Sequence, residues 1–348
     1  MAIKKINISQ FLEEHYAAAV LDVRSPAEFE HAHIPNAKSF PIFTNQERHE
    51  IGTAYKQQSR ETAIKLGLNY FGKNLVHMIE QAEKLVAQNN KNKQVIVHCW
   101  RGGMRSAAMA WLLDLYGFNV SLLEGGYKSY RKWALEQFQV EYNFTILGGY
   151  TGSNKTGALQ RMMTANRTVI DLEYIAQHKG SSFGNLDLLK QPSQEQFENQ
   201  LALELFQAAS KHKKIWLEGE SQRIGAVNIP PPIFQLMLKS DLFFLQIPFE
   251  QRLQNIVTQY GTHAKEKLIN AIVRIKKRLG GLETKNAINF LLEEDVKSCF
   301  SILLQHYDKA YLKSQTNTFY KERKITILEL ENCYAEQICK KLISYDHE

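Results

Sequence analysis

Short apolar runs of strand length alternate along this chain with stretches of helical period, the pattern of an α/β protein. Ala18-Ala19-Val20-Leu21-Asp22-Val23-Arg24 is a buried run ending in charge, followed by a turn and helix start at Ser25-Pro26-Ala27-Glu28-Phe29. Residues 31–40 turn into another strand, and Val95-Ile96-Val97 leads through a short polar loop into the helical run 107–113. A second set of strands is expected at 144–147, 168–173 and 213–217. From 265 to 279 the period is that of one helix, with Leu268, Ile272, Ile275 and Leu279 on a single stripe and Gly280-Gly281 ending it. Helical character continues through Tyr307, Tyr311 and Tyr320, and Lys324-Ile325-Thr326-Ile327-Leu328-Glu329 reads as a last strand.

With 348 residues, 44% of them hydrophobic, the chain has room for two domains with sizeable cores. They are expected at 1–138 and 139–348, joined by a hinge at 136–140 that has no Gly/Pro-rich linker. A net charge of +7 favours a polyanionic partner. Lys267, Arg274, Lys277 and Arg278 lie off the apolar stripe and are candidate RNA contacts, beside the plainer reading of a solvated helix face. Lys56, Arg60 and Lys65 in the long segment 44–86 carry the same two readings. No apolar run reaches membrane-spanning length and residues 1–7 lack a signal-peptide core, so a cytoplasmic protein without membrane contact is expected. The cysteines, Cys99, Cys299, Cys333 and Cys339, have neither CxxC nor metal-ligand spacing; the last three read as packing residues.

Two loops carry the candidate chemistry. His98-Cys99-Trp100-Arg101-Gly102-Gly103-Met104-Arg105-Ser106 joins a strand to a helix, so backbone N–H groups and the helix N-terminus converge on one point. Such a loop holds an anion and stabilises a thiolate, making Cys99 the candidate nucleophile within Trp100, Arg101, Gly102, Gly103, Arg105 and Ser106. Gly102 and Gly103 are both expected to take positive φ, while Arg101 and Arg105 add charge and bidentate donors. The second loop, ending Gly148-Gly149-Tyr150-Thr151-Gly152-Ser153-Asn154-Lys155-Thr156, is close to a P-loop. Gly149, Tyr150, Thr151, Gly152, Ser153 and Asn154 would cradle a diphosphate, Lys155 would neutralise it, and the Thr156 hydroxyl could hold Mg2+. Asn154 stands where the pattern has glycine, and Asn tolerates unusual backbone angles. Asp171, Glu173, Glu218 and Glu220 are candidates to orient a metal or its water, or to cap helices; His178 is a candidate base or a hydrogen-bonded histidine.

Asp22-Val23-Arg24, Glu28-Phe29, His33-Ile34-Pro35-Asn36-Ala37, the Cys99 loop and Leu123-Glu124-Gly125-Gly126-Tyr127 occur in the order of a rhodanese domain, which residues 1–138 resemble. That resemblance implies a chalcogen on Cys99; Asp22 and Arg24 read as a bracing ion pair. A rhodanese-like domain with a parallel sheet, followed by a P-loop NTPase-like α/β domain with helical additions, resembles the tRNA 2-selenouridine synthase family. The second domain carries this on its P-loop, on Asp171-Leu172-Glu173 with His178 and Gly180-Ser181-Ser182-Phe183-Gly184, and on Glu218-Gly219-Glu220-Ser221 with Arg223-Ile224-Gly225. The family implies replacement of sulfur by selenium at C2 of a wobble 2-thiouridine in tRNA through an S-geranyl intermediate. Geranyl diphosphate and selenophosphate would be co-substrates and a selenophosphate-producing enzyme a partner; no tightly bound cofactor is expected, and Mg2+ is the candidate ion at the P-loop. Two alternatives stay open: a cysteine-dependent phosphatase, since His98-Cys99 and Arg105-Ser106 fit HCx5R[ST], and a nucleotide-gated RNA-binding module.

Overall fold

The computed structural model describes residues 3–87, 93–179, 190–210, 214–315 and 323–345; Gly180-Ser181-Ser182-Phe183-Gly184, Lys213 and Tyr320, named above, lie outside them. The chain falls into two units, Met1–Gln137 with Glu198–Leu203, and Phe138–Phe197 with Glu204–Glu348. The run Glu198–Leu203, expected with the second domain, belongs to the first. Its Asn199 side chain donates to the Tyr127 hydroxyl at 2.8 Å and to the His33 carbonyl at 3.1 Å, while the Tyr130 hydroxyl donates to the Asn199 carbonyl at 3.0 Å.

In the first unit β1 (Lys4–Ile6), β2 (Ala19–Asp22), β3 (Lys38–Ser39), β4 (Gln94–His98) and β5 (Asn119–Leu123) form a parallel sheet in the order β1-β5-β4-β2-β3. Val20, Leu21, Val95, Ile96 and Val97 are buried, as continuous apolar runs in a doubly covered parallel sheet must be. Strand order reverses between β2 and β4, so the carboxyl end of β4, where Cys99 follows, opens on the crevice that such reversals create. The segment 44–86 is three helices, Asn45–Gln57, Arg60–Lys73 and Leu75–Ala87. The first begins with a capping box: Glu47 N–H donates to the Thr44 hydroxyl and Thr44 N–H to the Glu47 carboxylate. Lys56, Arg60 and Lys65 are exposed on these helices.

The second unit repeats the plan with β6 (Phe144–Gly149), β7 (Val169–Ile170), β8 (Ile215–Glu218), β11 (Asp241–Gln246) and β12 (Ile325–Glu329), all parallel, in the order β12-β11-β6-β8-β7; β9 (Arg223–Ile224) and β10 (Val227–Asn228) pair as a separate hairpin. Central β6 runs into the glycine-rich loop, and the strand order reverses beside it. A helical part packs around Leu253, Ile256, Leu268, Ile272, Ile275, Leu279, Phe300 and Leu303. The expected apolar stripe is buried, but residues 265–279 are two helices, Lys265–Arg274 and Lys276–Leu279. Between them Ile275 makes tighter backbone bonds, donating to the Ile272 carbonyl and accepting from Arg278, which keeps Leu279 on the buried side. The strand expected at 168–173 stops at Ile170, because the Asp171 carboxylate accepts from Tyr174 N–H at 2.9 Å and caps the helix Leu172–Ala176. No helix among the described residues is long and apolar enough to cross a membrane.

Candidate functional site

Cys99 leaves β4 with 3% of its surface exposed. Its Sγ accepts from Gly103 N–H at 3.3 Å and lies 3.2 Å from the Ser106 hydroxyl, which also reaches the Gly103 carbonyl at 3.1 Å. Burial pushes the thiol up; the Ser106 hydroxyl, the backbone of Ser106 and Arg101 and the Arg105 charge outweigh it, and the pKa lies below its ordinary value. Only Gly102 of the glycine pair takes positive φ, at 65°; Gly103 is extended at φ −97° and serves as the N-cap of the helix Met104–Tyr116. The loop is backed by the second glycine motif. Tyr127 and Lys128 N–H donate to the Cys99 and Trp100 carbonyls, and a Cβ on Gly126 would stand 2.3 Å from the Cys99 carbonyl oxygen, so only glycine fits.

Arg105 is held by Glu28, with nitrogens 2.8 and 3.4 Å from the carboxylate, while Arg101 is exposed. Glu28 also accepts from Ser25 N–H, which links the helix Pro26–His31 to the loop. The Arg105 fork, which the cysteine-phosphatase reading would turn to its substrate, is paired with Glu28 in this structure. Arg24 and Asp22 form a buried pair at 2.6 Å beneath the loop. The Arg24 guanidinium lies 4.0 Å from the Tyr127 ring centroid and 6.0 Å from that of Trp100. Burial holds His98 below its ordinary pKa and so keeps it neutral.

In the second unit Gly149 and Gly152 take φ 150° and 84°, and Asn154 adopts the left-handed conformation at φ 57°, ψ 38° before the helix Lys155–Thr164. Its amide donates to the Cys333 carbonyl at 2.8 Å. Lys155 Nζ lies 3.3 Å from the Gly149 carbonyl and 3.5 Å from Glu218; the Thr156 hydroxyl lies 2.9 Å from Glu218 and 3.2 Å from Glu173. Carboxylate oxygens of Glu173, Glu218 and Glu220 all come within 4.8 Å of one another. Burial, then the Glu218 and Glu173 charges, hold Glu220 well above the ordinary carboxylate range, against the pull of Lys155.

These residues line one cavity of about 460 Å³, with Gly149 and the residues from Thr151 to Gly157 at its polar end. Ile256, Tyr260, Phe300, Leu303, Leu304 and Tyr307 also line it, with Gln160, Asn255 and Gln259 among them. Lys179 also lines it, and the buried Tyr307 hydroxyl has no hydrogen-bond partner among the described residues. Neither Asp171 nor His178 lines it. Asp171 is spent as a helix cap, and His178, whose pKa burial lowers, packs where a Cβ on Gly225 would come within 2.7 Å of its ring. Lys267, Arg274, Lys277 and Arg278 are exposed and do not line this cavity.

Sequence pattern alone misses the support of the phosphate loop. Arg252, 4% exposed, donates to the Ile247 and Thr151 carbonyls and forks onto Asp308 at 3.0 and 2.8 Å; Asn255 donates to the Gly152 carbonyl at 2.8 Å. An Arg and an Asp 56 residues apart carry no local signal of pairing. The apolar wall is partly visible as the helical run around Tyr307.

Residues 142–329 match the family model of the tRNA 2-selenouridine synthase AAA domain, and residues 8–132 that of the rhodanese-like domain. A tRNA 2-selenouridine synthase of Shewanella denitrificans is 37% identical over 290 residues, 76% of this chain and 76% of that relative. Another, of Aeromonas salmonicida, is 31% identical over 355 residues, 91% of this chain and 93% of that one. Among solved structures, a rhodanese-related protein from Thermoplasma volcanium is 25% identical, with a TM-score of 0.22, covering 37% of this chain and 91% of that one.

Proposed function

The chain belongs to the tRNA 2-selenouridine synthase family, and from that premise we propose that it converts wobble 2-thiouridine of tRNA to 2-selenouridine through an S-geranyl intermediate, with geranyl diphosphate and selenophosphate as co-substrates. The observation that carries the reading is the cavity of the second unit, polar at the phosphate loop and apolar along Phe300, Leu303 and Leu304. A prenyl diphosphate has that polarity along its length.

In the first half-reaction the thiocarbonyl sulfur attacks the carbon that bears the diphosphate. A C–S bond forms as the C–O bond breaks, and diphosphate leaves with the electron pair. Lys155 and the N–H groups of residues 149–154 stabilise the charge that builds on it. Glu173, Glu218 and Glu220 with the Thr156 hydroxyl are hard oxygen donors suited to Mg2+, which when bound supplies further neutralisation of the diphosphate. The alkylated base gives up its N3 proton to water, and a poor leaving group has become a neutral thioether. In the second half-reaction selenium from selenophosphate bonds to C2, the geranyl thiolate departs and takes up a proton, and water receives the phosphoryl group. The first loop serves this step, with the Cys99 pKa lowered by its donors, and an enzyme that makes selenophosphate is the expected supplier.

Incubation with thiolated tRNA, geranyl diphosphate and selenophosphate, followed by mass analysis of the nucleosides, tests the reading. It expects 2-selenouridine, with S-geranyl-2-thiouridine accumulating when selenophosphate is withheld. Unchanged tRNA with hydrolysis of an aryl phosphate would restore the phosphatase; tight ATP binding with unchanged tRNA would favour the binding module.

A further inference from the structure

The mouth of the Cys99 loop has more than a small anion requires. N–H groups and a cation suffice for selenophosphate, yet Trp100 is 39% and Met104 60% exposed around a thiol that is nearly covered. Trp100 is also fixed in place. Its carbonyl accepts from Lys128 N–H at 3.0 Å, and its ring lies 5.5 Å from that of Tyr127, a wholly buried residue that carries Arg24 on its face. One side of the indole is thus packed and part of the ring is left to solvent, next in sequence to the nucleophile and followed by the exposed Arg101. A rigid, partly bare aromatic ring beside an arginine is how proteins receive an unpaired base together with its phosphate.

We propose that Trp100 is the stacking platform for the wobble base, with Arg101 taking a neighbouring phosphate. The proposal rests on the tRNA reading given above. An anticodon-loop base is already unpaired, so swinging it onto Trp100 costs little, and the stack delivers the base to the mouth over Cys99. Stacking also suits both thiolated and geranylated bases, because it uses the ring face and not the substituent at C2.

A double-mutant cycle separates stacking from structural support. The full-length protein and its Trp100→Ala and Trp100→Phe variants are titrated with two anticodon stem–loop RNAs, one carrying 2-thiouridine at the wobble position and one abasic there. Trp100→Ala is expected to weaken binding of the thiolated RNA by about fivefold to a hundredfold, the range for loss of one stacked base, and to leave abasic binding unchanged. Trp100→Phe should stay within about threefold of wild type, since a smaller ring still stacks. Equal losses on both RNAs, or no loss on either, would overturn the platform while leaving the function intact. Failure of the wild type to bind either RNA would remove the tRNA reading and this proposal with it.

Discussion

The two strand–loop–helix junctions solve the same electrostatic problem in opposite directions. Around Cys99 the donors are turned inward onto the loop's own sulfur, through Gly103 N–H and the Ser106 hydroxyl. After β6 the loop lines a cavity, and its lysine is held by Glu218 and the Gly149 carbonyl. The lesson is about where the charge comes from. A loop with a built-in nucleophile solvates it in advance, whereas a loop that receives a charged ligand needs space and a cation balanced until that ligand arrives.

The contrast is broken most severely by removing either charge. Cys99→Ala should lower selenouridine formation by more than about a hundredfold while geranylation and tRNA binding persist, read by nucleoside mass analysis and titration. Lys155→Ala should slow geranylation by about 10²–10³-fold, because the departing diphosphate loses its cation. Previously geranylated tRNA should then be selenated normally by the Lys155 variant and not by the Cys99 variant; if Lys155→Ala fails equally on it, the two loops do not divide the reaction. Next in size is the brace beneath the second loop. Arg252→Met should cost about 3 kcal/mol, seen as a lower urea midpoint, since it strands Asp308 and two carbonyls, and should raise KM for geranyl diphosphate.

A finer test addresses the inward donors. The Cys99 thiolate is stabilised by hydrogen bonds, so alkylation of Cys99 should reach half-maximal rate below the pH of an ordinary thiol, and Ser106→Ala should move that midpoint up by less than about one pH unit. Cys299 and Cys333, pushed up by burial to about 12 and about 11, should stay unreactive throughout that range. The smallest effect expected is at the exposed cations. Replacing Lys267, Arg274, Lys277 and Arg278 together should reduce the salt slope of tRNA binding by somewhat under one for each phosphate no longer neutralised, and an unchanged slope assigns that face to solubility.

What was legible in the sequence was periodic or local. The apolar runs before Cys99 and Gly148 announced central strands, and the glycine-rich loops that follow them announced turns into helices. The stripe Leu268, Ile272, Ile275 and Leu279 gave the buried face even though the helix breaks at Ile275. The run Leu242-Phe243-Phe244-Leu245 forms β11, and a short apolar run of this kind does not by its pattern alone separate a buried strand from a buried helix. Gly103 departs from its expected positive φ because Gly102 takes the left-handed turn, and the fold asks of Gly103 only an N–H that donates to Cys99 Sγ at the helix cap. Long-range partners stayed invisible: that Arg105 meets Glu28, or Arg252 meets Asp308, depends on packing that no spacing encodes.

Asn154 is the departure from the P-loop pattern with the furthest reach. A glycine there would accept the same left-handed angles, but it would lose the amide that donates to the Cys333 carbonyl, while the Cys333 thiol donates to the Gly152 carbonyl at 3.4 Å. The loop is therefore laced to a segment 179 residues downstream, and its shape is a property of that distant segment as much as of the stretch that encodes the loop. Truncation before Cys333 would remove no cavity-lining residue, yet it would take away both of these contacts together with Ile338, Cys339 and Leu342, which share a core with Leu159 and Met162 of the helix after the loop, so the segment beyond β12 is a working part of the second site.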